Sequence, residues 1–310
     1  MRTTQISKIG FGAVLVLLFT TLLLADRAQP LAGAWALVGL SLTAGFVHGA
    51  LDAAILQRRF TDRLRLIKVL TAYLVAVLLL GWLLSGALNV ALWLLILMSV
   101  WHFGEPYGRW SGLQPWSANL TRAVVGGAPI MVPVWLVPGE LAQTLAPVVD
   151  LLTVQVWRAM GLVWLGLLLV WVIACGLKRP HAARYAWAEV LGCAIAYTVF
   201  SPLMAFAIYF GVYHAPVHIW RVWRSWKANG PALHLRPWAI ATGLIATVCA
   251  TWLLSAGLWW MLSPDLSKMP EPALALRWLI VALAAVTAPH LVLISASEAF
   301  FAAYTRRCTG

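Results

Sequence analysis

Long apolar runs separated by short polar and basic stretches organise this chain. Ten can be drawn, at 8–25, 31–57, 64–85, 88–108, 121–137, 151–176, 184–200, 202–220, 237–262 and 274–303. A helix needs roughly 20 consecutive apolar residues to cross a bilayer's hydrocarbon core. The pattern therefore predicts an all-α, polytopic integral membrane helix bundle with about ten, and at least eight, transmembrane helices. The run 121–137 holds Gly126-Gly127, Pro129 and Pro133. It predicts a broken or re-entrant segment, tolerated only where its freed backbone groups face protein or water. Residues 138–150 read as a loop or short surface helix. Only Ser201-Pro202 divides the runs on either side of it, so the chain must turn there. The N-terminal stretch MRTTQISKIGFGAVLVLLFTTLLLA has the basic start and apolar core of a signal peptide, but its length favours a retained first helix.

Composition supports the membrane reading. The chain is 62% hydrophobic and 10% charged, with a mean hydropathy of +0.86; soluble domains carry about 25% charged residues. Its net charge of +12 comes from short basic clusters between apolar runs, which excludes a nucleic-acid surface and fits loops at a membrane face. With ten crossings and both termini cytoplasmic, 18 of the 22 Lys and Arg residues fall on the cytoplasmic side, as the positive-inside bias requires. The expected location is a bacterial inner membrane, with the bilayer as the surrounding partner and 1–310 as one transmembrane domain. Some of the 19 tryptophans suit bilayer interfaces, and others lie deep enough in runs to be core or pocket. Cys175, Cys193, Cys249 and Cys308 show no paired spacing, so they form neither a disulfide framework nor a thiolate metal site.

Candidate chemistry lies in the histidines. His214 and His218, in YFGVYHAPVHIW, stand four residues apart, a spacing that stacks both imidazoles on one helix face. Pro216 between them lacks an N–H and predicts a bend that frees the carbonyl of Val212. His48 and His102 occupy other apolar runs at similar distance from a basic end, and His290 lies deeper. Buried polar groups in a bilayer are costly and tend to be functional. Neutral imidazoles converging from several helices make a ligand set for iron, copper, zinc or nickel. Asp52, one turn after His48, and Glu105, three residues after His102, are placed to fix an imidazole tautomer or to ligate directly. Glu189 and Glu298 carry no assignment. Gly45, Gly49, Gly104 and Gly211 accompany the histidines, where a missing side chain permits close helix approach.

The segments GFVHGALD, WHFGE, YFGVYHAPVH and APHLVL resemble, in order and spacing, motifs of the membrane-integral β-carotene 15,15'-dioxygenases, the family of the bacteriorhodopsin-related protein and its homologues. The resemblance implies a non-haem Fe(2+) enzyme that uses O2 to split β-carotene at its central double bond, giving two retinal molecules. It places the metal ligands on His48, His102, His214 and His218, with His290 beside them. It also implies a functional link to a microbial rhodopsin. Pro216 and Glu105 depart from the family pattern. Competing readings are a b-type haem protein and a transporter whose histidines relay protons or pack. A di-iron desaturase needs adjacent histidine pairs, and this chain has none.

Overall fold

Two glycines set a close contact between neighbouring helices. In the computed structural model, which describes residues 20–27, 35–36, 39–40, 52, 56, 60, 62–110, 115–176, 180–220 and 271–308, helix α1 spans Arg63–Ser85, α2 Leu88–Trp110 and α3 Pro115–Leu136. A Cβ added at Gly104 of α2 would collide with the carbonyl of Arg122, and one at Gly126 of α3 with the carbonyl of Val100. Small residues at a membrane helix interface let backbones pack directly. Here they hold the turn of α2 that carries His102 hard against α3.

The remaining elements follow in order. Helix α4 is Pro138–Leu145 and α5 is Leu151–Trp171, which runs into a π-helical turn at Val172–Gly176. Helix α6 is Pro180–Val199, and α7 is Pro202–Ala207, continued by a π-helical segment at Ile208–His214 and a last α-helical stretch, 215–220. Helix α8 is Glu271–Cys308. Asp62 and Asp150 open α1 and α5 by accepting from the N–H groups of Leu64 and Thr153, at 3.0 and 2.7 Å. Such caps satisfy donors that a helix start leaves unpaired.

Helix α3 keeps its prolines without breaking at them. Pro133 cannot donate to the carbonyl of Pro129 four residues back, and the hydroxyl of Tyr197 in α6 donates to that oxygen instead, at 2.6 Å. The direction changes later, at Val137, where α3 and α4 meet at a 102° bend. The short surface helix expected within 138–150 is α4. The turn expected at Ser201-Pro202 is also present. Asp26, from the helical segment 20–27, holds it by accepting from the Ser201 N–H at 2.7 Å and hydroxyl at 2.6 Å.

The bundle is all-α among the described residues, but the expected eight to ten crossings are corrected. Among the described residues five helices are long and apolar enough to span a membrane: Arg63–Ser85, Leu88–Tyr107, Thr153–Ala174, Pro202–Trp220 and Ala273–Ile294. The bent pair Trp116–Leu136 and Pro138–Leu145 raises the number to six if it counts as one span. The physical reasons are local. Run 121–137 belongs to that bent pair, and α6, though 20 residues long, carries Arg184 and Glu189 and is not among the spans. Run 237–262 and most of 8–25 and 31–57 lie outside the described residues. Apolar side chains still face outward: Val75, Leu79 and Trp82 on α1 and Val163 and Leu169 on α5 are all more than half exposed. Contiguous apolar surface of this kind is stable in contact with lipid and a liability in water.

The core lies between α2, α3, α5, α6 and the α7–π segment. Trp171 is fully buried and donates to Thr121 Oγ1 at 3.0 Å, and Trp164 donates to the Val124 carbonyl at 3.0 Å while covering Gly127. These two tryptophans are structural, as the deep placement of part of the tryptophan set implies.

Candidate metal centre

Histidines 102, 214 and 218 converge. Each offers a ring nitrogen, and the three nitrogens lie within 4.8 Å of one another in the buried interior. The ring centroids of His102 are 5.0 Å from those of His214 and 5.3 Å from those of His218, and His214 and His218 are 6.1 Å apart. Two nitrogens bound to one ion at about 2.1 Å sit about 3 Å apart when adjacent and about 4.2 Å when opposite. Closing on an ion therefore asks each ring to move by at most about 1 Å. Three neutral imidazoles in a buried, largely apolar pocket form a donor set suited to a first-row transition ion.

Local sequence explains the aim of His214. Pro216 has no N–H to give to Val212, and the helix before it is wound wider, with the Ala215 N–H bonded to the Phe210 carbonyl five residues back. Such π segments concentrate at functional sites. Tyr209 and Phe210 both stack on His214, ring centroids 6.1 and 6.2 Å apart. The bend predicted from Pro216 is thus a change of winding, and it sets Tyr209 and His214 on one face. Phe103, next to His102, packs edge-on to His214 at 4.5 Å and to Tyr209 at 5.2 Å. The collar around the histidines is aromatic.

A fourth imidazole joins the group. His290, on α8 after Pro289, is 5.0 Å from His102 and 5.7 Å from His218 by ring centroid. Its Nδ1 lies 2.9 Å from both carboxylate oxygens of Asp52, which also accepts the Tyr73 hydroxyl at 2.8 Å. With Nδ1 turned to the carboxylate, Nε2 is the nitrogen His290 has for the cluster. Carboxylate–histidine pairs of this form orient ring ligands and raise their basicity. Asp52, read from the sequence as a partner one turn after His48, here holds a histidine 238 residues away in sequence. His290, expected deeper, belongs to the same group.

Glu105 is buried on α2, three residues after His102. His48 lies outside the described residues. Of the glycines expected to admit close approach, Gly104 does so against α3, and a Cβ at Gly211 would stand 2.7 Å from the Cβ of Leu40. Gly45 and Gly49 lie outside the described residues.

Sequence reading left Glu189 unassigned, and it proves to be a hub. Its carboxylate accepts from Tyr209 at 2.7 Å, from Tyr213 at 3.1 Å and from Tyr107. The three tyrosines come from α2 and the π segment, so one buried carboxylate ties the elements carrying His102 and His214 to α6. An acidic residue inside an apolar run was the available signal. The tyrosines gave none, because a tyrosine in such a run reads as packing.

Fold and site together define a class: a helical protein with helices long and apolar enough to span a membrane and a buried histidine cluster able to hold a metal ion. The comparisons narrow it. The family model for β-carotene 15,15'-dioxygenase matches residues 35–297, and the chain belongs to that family. It is 28% identical over 269 residues to a β-carotene 15,15'-dioxygenase from the uncultured marine bacterium 66A03, covering 84% of this chain and 92% of the relative. No solved structure matches.

Proposed function

We propose that this protein is a non-haem Fe(2+) dioxygenase that cleaves β-carotene, or a close carotenoid, at the central 15,15' double bond with O2 to give retinal. The carrying observation is the convergence of His102, His214 and His218 from two separate membrane-spanning helices. Family membership supports the activity. In this reading His48 completes the ligand set on the strength of its family motif. His290, held by Asp52, adds a nitrogen from the facing helix, and Glu105 is a further polar group near the reacting atoms.

When bound, Fe(2+) would supply the reaction of O2 with the polyene. The chain does the rest. The imidazoles fix the ion's position, and Asp52 holds the His290 ring in one tautomer. Phe103, Tyr209 and Phe210 wall off the site and exclude water. The exposed apolar helix faces let a lipid-dissolved substrate approach from the side. The whole of 1–310 acts as one transmembrane catalytic domain of a bacterial cell membrane, and its retinal product suits a microbial rhodopsin as acceptor.

The experiment is expression in cells that accumulate β-carotene, with pigments extracted and separated beside a His214→Ala/His218→Ala control. Bleaching with retinal formation in the wild type alone supports the proposal. Longer apocarotenals move the cleavage position, and unchanged pigment in both contradicts the proposal.

A further inference from the structure

A cavity of about 490 Å³ lies between the helical segment 20–27, α6 and the α7–π segment. Its wall on α6 extends from Ala188 to Val199, about 16 Å at 1.5 Å per residue. Ala188, Gly192 and Ala196, one turn apart, keep that wall low. One end is polar, with Glu189, Tyr209 and Tyr213. That end adjoins the histidines, because the Tyr209 ring that borders the cavity also stacks on His214 at 6.1 Å. Toward the other end, Ile195 and Val199 are 64% and 38% exposed, so the cavity opens on an apolar outer face.

Volume decides how much of a carotenoid fits. At the volume per mass of liquid water, about 30 Å³ per 18 Da, a C40 hydrocarbon takes about 900 Å³ and half of one about 450 Å³. The cavity's volume matches the half. Resting on the carotenoid-cleaving function proposed above, we infer that this cavity is the chamber for one half of the substrate, one end ring and its arm of the polyene, entered from the lipid side past Ile195 and Val199. Its depth measured from Tyr209 then selects which double bond reaches the histidines.

Gly192 is the residue that tests this. A Cβ there meets nothing within 4 Å, so a side chain at this position grows into open space instead of into backbone. Gly166 on α5 is equally open and does not border the cavity, which makes it the matched control. The full-length protein, purified in detergent, is measured as wild type, Gly192→Ala, Gly192→Leu and Gly166→Leu. The first readout is the carotenoid-to-protein ratio retained by iron-free protein from β-carotene-accumulating cells. The second, on Fe(2+)-loaded protein, is kcat/KM for β-carotene against a shorter apocarotenal with one intact ring.

The chamber predicts a graded loss of bound β-carotene, small for Gly192→Ala and about tenfold or more for Gly192→Leu, the scale on which an overfilled apolar pocket discriminates. Gly166→Leu retains wild-type binding, and all four proteins bind equal iron. The selectivity ratio shifts toward the apocarotenal in Gly192→Leu, whose truncated end still enters the shortened chamber. Unchanged binding and selectivity in Gly192→Leu overturn the chamber. So does an equal loss on both substrates, or a loss shared by Gly166→Leu. Wild-type protein that neither retains nor cleaves any carotenoid instead overturns the functional reading on which the chamber rests.

Discussion

Replacing Asp52 with alanine removes the acceptor of two buried donors at once. The carboxylate takes the Tyr73 hydroxyl at 2.8 Å and faces His290 Nδ1 at 2.9 Å through both oxygens, with Asp52 3% and His290 4% exposed. A buried donor left without an acceptor costs about 1–3 kcal/mol. Two of them destabilise the fold by about 2–6 kcal/mol, a large part of the 5–15 kcal/mol that typically separates folded from unfolded chains. A second loss acts on the metal. Outer carboxylates that orient a ligand are worth about 10–100-fold in metal affinity. Two companion variants separate these losses. Tyr73→Phe removes one donor together with its hydrogen bond and leaves the His290–Asp52 pair, so stability falls slightly and Fe(2+) affinity stays near wild type. Asp52→Asn keeps the shape and one amide acceptor. Stability then falls by about 1–3 kcal/mol, while Fe(2+) affinity falls as far as in the alanine variant. The assay is thermal unfolding of detergent-solubilised protein together with Fe(2+) titration against a competing chelator. Wild-type melting and wild-type Fe(2+) affinity in Asp52→Ala would refute the assignment of Asp52 as the group that orients His290.

Three further outcomes follow from the packing. Gly104→Ala drives a methyl into the Arg122 carbonyl; overpacking of this kind costs about 1–3 kcal/mol, and the shift of α2 lowers Fe(2+) affinity through His102, which metal titration checks. Tyr197→Phe leaves the Pro129 carbonyl without the donor that replaces Pro133's missing N–H, lowering stability by about 1–3 kcal/mol in detergent melts while iron content stays unchanged. At the surface, the backbone and side-chain hydrogen bonds from Thr153 hold the Asp150 carboxyl below the ordinary carboxylate range. A depressed folded pKa contributes stability that is present above the unfolded value and lost as pH falls through the folded one. Asp150→Asn therefore gives a flatter melting-temperature profile in acid, and an unchanged slope would count against the cap.

The histidine cluster is legible in the sequence because histidine is scarce and expensive in apolar runs, so His102, His214 and His218 stand out. Their partners were harder to read. Asp52 was visible as a deep carboxylate, but sequence proximity pointed to His48, while the fold brings His290 to it from 238 positions away. Glu189 was noticed and left without a role, since nothing local ties it to Tyr107, Tyr209 and Tyr213. Pro216 foretold a disturbance of the helix without specifying π winding, which depends on how the preceding turn repacks. The count of crossings failed where hydropathy alone had to decide. Run 121–137 ends in a 102° bend at Val137, beyond its glycines and prolines, and α6 is a wall of the core and cavity carrying a buried glutamate.

The central claim is that His102, His214 and His218 hold an iron ion. Its most direct test is metal analysis of purified full-length protein after anaerobic Fe(2+) loading and desalting, as wild type and with each of the three histidines changed to alanine. The account predicts about one iron per wild-type chain, and substoichiometric iron in every variant at matched folding, because losing one of the ligands weakens a transition-metal site severely. Iron retained at the wild-type level in any of the three variants would contradict it.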